Sequence, residues 1–157
     1  MNTLRDSRGG RVHKLQSFVA SLALAAAISG LETPARAGSF LLLVNATNPI
    51  TSITRADLKK AFTGGKKQWE NGAVIQVGLI PSDAPETQYL AALFDTSIRD
   101  LIGRIQEQVF KGEMRRPTVL KSSQDCLALA RSHAGAVCVA AAGLPIPSEA
   151  RVVTVGE

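Results

Sequence analysis

Aromatic side chains are scarce in this sequence: they make up 4% of its 157 residues, with a single tryptophan and a single tyrosine. A surface that stacks nucleic-acid bases on aromatic rings is therefore not expected. Histidine is nearly absent as well, with only His13 and His133. Cysteine stops at Cys126 and Cys138. One usable imidazole and two thiols make a poor zinc site. Cys126 and His133 stand seven residues apart on one expected helix, roughly 10 Å along its axis, too far for a nucleophile and its base. No HExxH, paired-carboxylate or glycine-rich phosphate-loop pattern occurs. These absences argue against an enzyme and against a resident metal or cofactor. No apolar run approaches the roughly 20 residues a membrane-spanning helix needs.

The positive charge is concentrated at the start of the chain. Residues 1–37 carry five basic and two acidic side chains, and residues 38–157 carry 13 basic and 11 acidic ones. A net charge of +2 on the larger part does not call for a polyanionic partner such as DNA. The leading segment has the organisation of a secretory signal peptide. A basic stretch runs through Lys14, an apolar stretch follows from Phe18 to Ile28, and Ala35-Arg36-Ala37 supplies a small-x-small cleavage site. Cleavage there leaves Gly38 first and sends residues 38–157 to the periplasm as one domain, with no membrane insertion. The competing reading is a short buried N-terminal helix.

With 45% hydrophobic residues, the rest of the chain has ordinary globular composition. Phe40-Leu-Leu-Leu-Val44 is a continuous apolar run, the pattern of a strand covered on both faces. Thr54 and Asp57 are spaced as a helix cap, so a helix is expected from about Arg55 to Phe62. Residues 74–80 read as a strand. Asp83 with Glu86 has the spacing of a second cap, with Pro85 in the first turn. Ile98, Leu101, Ile102, Ile105 and Val109 recur at helical spacing and are expected to face the core. Short strands at 118–120, 136–140 and 151–155 alternate with a helix that starts near Ser122. The pattern predicts an α/β domain, with a largely parallel sheet flanked by helices.

In such sheets, ligands gather beyond the carboxyl ends of strands. Four loops qualify: residues 45–48, 81–84, 121–123 and 141–143. Helix N-termini present unpaired N–H groups, so a small oxyanion is the natural ligand. Lys121-Ser122-Ser123 suits one best, with a cation and two hydroxyls, although a serine there also serves simply as a helix cap. Cys126 and Cys138 lie where a helix and the returning strand bring them level. A disulfide and two separate buried thiols are both open readings.

One stretch resembles a known family. Asn48-Pro-Ile-Thr-Ser-Ile-Thr-Arg-Ala-Asp-Leu-Lys-Lys-Ala-Phe-Thr-Gly, followed by Trp69 and Asn71-Gly72, is similar to the signature of type II periplasmic substrate-binding proteins of the phosphate kind. Val109-Phe110-x-Gly112, Pro117 and Gly135-Ala136-Val137 extend the resemblance over about residues 41–157, as in short single-lobe members. The resemblance implies a periplasmic-binding-protein type II-like lobe, a phosphate-like ligand and an ABC transporter permease as partner. It also implies that Ser82 and Thr87 stand where the family carries a Ser-Gly-Thr turn. The family's arginine and its intact turn are missing, and Asp83 and Glu86 place negative charge where a helix dipole would attract an anion. Weak oxyanion binding is therefore one expectation. The other is an envelope adaptor that uses the same fold to hold a protein partner, through the exposed basic loops Lys66-Lys67 and Lys111 with Arg115-Arg116.

Overall fold

A computed structural model describes residues 39–81 and 83–157. The expected signal peptide and Ser82 lie outside the described residues. Six strands, β1 Phe40–Asn45, β2 Ser52–Thr54, β3 Gln76–Leu79, β4 Thr118–Val119, β5 Ala136–Ala141 and β6 Ala150–Gly156, form one sheet in the order β2-β6-β1-β5-β3-β4. Among the described residues, four helices accompany them: α1 Arg55–Phe62, α2 Pro85–Leu93, α3 Ile98–Phe110 and α4 Ser123–Ser132.

Alternation along the strands divides the core into two layers. Leu42 and Val44 of β1, with Val137 and Val139 of β5, pack under α1, α2, α3 and Trp69. Leu43 of β1, with Ala136, Cys138 and Ala140 of β5, packs under α4. The α4 side of β5 carries only small residues, which lets that helix approach the sheet closely. The continuous apolar run at 40–44 is thus a strand covered on both faces, as expected. A disulfide joins Cys126 of α4 to Cys138 of β5 across the thinner layer, with the Cα atoms 5.8 Å apart.

The sheet is largely parallel, as the alternation predicts, and β1 alone runs against the other five strands. The loop from β1 to β2 is too short for the helical crossover that a parallel connection requires, so the direction reverses. β2 is not among the strands read from the sequence. Its two outer residues are polar and only Ile53 is buried, so three residues carry too little pattern to announce a strand.

Caps behave unevenly. Thr54 Oγ1 accepts from the Asp57 N–H at 3.1 Å, and Ser97 Oγ accepts from the Asp100 N–H at 3.0 Å. The expected Asp83–Glu86 cap does not form: α2 begins after Ala84 without a side-chain cap. Ser122 is the N-cap of α4 but makes no capping bond; Asp125 Oδ2 instead accepts from the Lys121 N–H at 2.8 Å.

Trp69, in the loop between α1 and β3, is only 3% exposed. Its indole N–H donates to the Gly135 carbonyl at 3.0 Å, and the Gln76 N–H donates to the same oxygen at 2.9 Å. Gly135 has no room for a side chain, because a Cβ would collide with the Val74 carbonyl. The α3 stripe follows expectation except at one position. Leu101 and Ile105 are buried in the core and Ile98 and Val109 pack against it, while Ile102 lines only a surface groove that Val109 also borders.

Candidate functional site

Because β1 is reversed, the four loops proposed from sequence do not share one edge. Residues 81–84 follow β3, residues 121–123 follow β4 and residues 141–143 follow β5, and these three strands run the same way. Residues 45–48 lie at the opposite end of the sheet. There the Asn45 Nδ2 group donates to the Ala130 carbonyl near the end of α4 at 2.7 Å. Asn45 thus anchors the fold rather than lining the same edge.

At the shared edge, the first turns of α2 and α4 meet the end of β5. Ser123 is buried and links all three. Its hydroxyl donates to Glu86 Oε1 at 2.6 Å and accepts from the Ala141 N–H at 2.8 Å. A carboxylate from the chain itself therefore takes the serine hydroxyl at the start of α4. Its charge also lies in the first turn of α2, where the helix dipole favours an anion.

The other residues singled out from sequence are placed as follows. Thr87 is buried and its hydroxyl donates to the Ile80 carbonyl at 2.7 Å, so its one proton is turned into the protein. Lys121 and Ser122 are exposed on the turn before α4. Lys121 makes no ion pair among the described residues. The edge thus gathers Lys121, Ser122 and Ser123 with three carboxylates, those of Asp83, Glu86 and Asp125. The better-formed cavities among the described residues open elsewhere, and their linings do not include Thr87, Lys121, Ser122 or Ser123. No group of three metal-ligating side chains occurs among the described residues.

The basic loops are partly neutralised internally. Lys67 Nζ donates to Glu113 Oε2 at 2.8 Å, and that hydrogen bond, reinforced by the lysine charge, holds the Glu113 carboxyl below its ordinary pKa. Lys111 does the same for Glu107. Lys66 stands over the Trp69 ring, 5.5 Å from its centroid. Arg115 and Arg116 make no ion pair among the described residues.

No protein-family model and no curated protein matches this sequence. Solved structures do. One is described as a phosphate ABC transporter substrate-binding protein with bound phosphate from Clostridium perfringens. It matches with a TM-score of 0.60 and 14% identity, over 75% of this chain and 45% of its own. An ABC-type phosphate transport receptor from Vibrio cholerae matches with a TM-score of 0.57 and 16% identity, over 75% of this chain and 46% of its own. PstS from Borrelia burgdorferi matches with a TM-score of 0.58 and 16% identity, over 76% and 48%.

The fold is periplasmic-binding-protein-like. This chain spans less than half the length of the structures it matches. Among the described residues, no helix is long and apolar enough to cross a membrane.

The role of Glu86 was only half visible in the sequence. Its charge at a helix start was readable, but its partner Ser123 lies 37 residues away. Removing the serine strands two groups, whereas neutralising the glutamate leaves an amide oxygen that still accepts the hydroxyl. Ser123→Ala should therefore lower unfolding stability by about 2 kcal/mol, within the range for a buried polar group left unpaired. Glu86→Gln should cost less than half of that. Urea denaturation of the two variants checks the order, and equal losses would contradict it.

Proposed function

We propose that this chain is an exported, non-enzymatic solute-binding-like protein of the phosphate ABC transporter kind, and that it binds a small oxyanion only weakly. Three observations support the reading: the fold it shares with phosphate-binding neighbours, the convergence of the α2 and α4 N-termini at one sheet edge, and the signal-peptide pattern of residues 1–37. The single observation that carries the weakness is the Glu86–Ser123 hydrogen bond. A phosphate at that edge must compete with a carboxylate already held there, and meets the charges of Asp83 and Asp125 as well. Lys121, Ser122 and Ser123 are the residues it would touch, whereas the Thr87 hydroxyl is committed to the Ile80 carbonyl. Lys121 lacks the two-pronged geometry of a guanidinium for a tetrahedral anion.

Export is checked on protein recovered from the envelope fraction. N-terminal sequencing should begin at or near Gly38, and a mature form that retains Met1 would contradict export. Binding is checked by calorimetric titration with phosphate and with sulfate. The unaltered protein should show a dissociation constant around millimolar or weaker, about −4 kcal/mol. The double variant Asp83→Asn, Glu86→Gln should bind at least several-fold more tightly, because two repelling charges are gone while hydrogen-bonding oxygens remain. Micromolar binding by the unaltered protein would overturn the reading.

A further inference from the structure

Between them, α3 and the last strand of the sheet enclose an apolar groove of about 550 Å³. Its floor is Leu79, Ile80 and Ile105, and its walls are Ile102, Val109 and Phe110 on one side and Val119 on the other. Pro81 and Pro117 also line it, which fixes the backbone at those points. Phe110 is 94% exposed and Val119 is 77% exposed, far beyond what a solitary surface hydrophobe would explain when both border one depression.

The strand beside the groove is also open. Among the described residues β4 pairs only with β3 and ends the sheet. The Leu120 N–H donates inward to the Leu79 carbonyl at 2.9 Å. Strand alternation then turns the N–H and C=O of Val119 outward, where an extended segment can pair with them. The charge of the groove selects among occupants. Arg116 is its one charged lining residue, it has no ion-pair partner among the described residues, and no carboxylate lines the groove. Arg115 is adjacent in sequence and equally without an ion pair. A second copy of this chain would bring another pair of arginines to the same place, which the charges disfavour.

We infer that the α3–β4 groove is a docking site for an extended, apolar segment of a partner protein that carries acidic side chains. The segment adds to the outer edge of β4, inserts alternate apolar side chains between Phe110 and Val119, and presents a carboxylate to Arg116. None of the residues invoked for the oxyanion takes part, so this inference stands or falls separately from the proposed binding function.

The test uses protein purified after expression of the full chain, panned against randomised nine-residue segments displayed on phage. Enriched sequences should alternate apolar residues with Asp or Glu. Synthetic peptides made from them should lose binding at least tenfold with Phe110→Ser and with Val119→Pro. Both sites are exposed, and a proline at Val119 removes an outward N–H rather than a ladder bond. Arg116→Glu should invert the preference toward Lys or Arg. Failure to enrich any sequence, enrichment without an acidic bias, or binding indifferent to all three substitutions would overturn the inference. So would a micromolar homodimer, seen by sedimentation, that Phe110→Ser dissociates, since the groove would then belong to a second copy.

Discussion

Strand β1 has a partner on each edge and a helical layer on each face. Antiparallel pairing joins it to β5 and β6, Leu42 and Val44 face three helices, and Leu43 faces the fourth. Every other element is positioned relative to it. β6 and β2 extend the sheet to one side, and β5, β3 and β4 extend it to the other. Its last residue, Asn45, reaches across to the carbonyls ending α4, while the Cys126–Cys138 bond ties that helix to the strand next door. Burial of Leu42, Leu43 and Val44, with Phe40 and Leu41 half-buried beside them, supplies the driving force, and the ladder on both edges satisfies the backbone that this burial takes out of water.

The reversal of this one strand decides which loops can cooperate. With the other five strands running together, the starts of α2 and α4 and the end of β5 converge, and the loop after β1 is sent to the far end. At the point of convergence the chain supplies its own anion. Glu86 accepts the Ser123 hydroxyl that a ligand would otherwise use, and Ser123 in turn holds the Ala141 amide. The same contact ties two helices to the sheet. On the proposed reading, stability and weak anion affinity would come from one hydrogen-bonded chain. The apolar groove between α3 and β4 is free of this conflict, because it holds an arginine and no carboxylate.

Local signals were legible where one short segment contained them. The apolar run at 40–44 showed a doubly covered strand, Thr54 and Asp57 showed the start of α1, and the spacing of Ile98 to Val109 showed α3. A run of leucines has no direction, however, so the orientation of β1 depended on the length of the loop that follows it. Ile53 alone could not mark β2. The stripe on α3 showed which side is apolar but not how much of it the protein covers, and Ile102 and Val109 fall at the margin of that cover. Glu86 was readable as a charge at a helix start. The hydroxyl that binds it became its neighbour only through the pairing of β3 with β5 and β4.

The most direct measurement is site-resolved: amide NMR of the unaltered protein during titration with inorganic phosphate at neutral pH. If Glu86 holds the position an oxyanion would take, the amides of residues 122–125 and of Ala141 should barely move below millimolar phosphate. Large, saturable shifts of those amides at micromolar phosphate would contradict the account, because they would show an open anion site where the structure has a carboxylate in place.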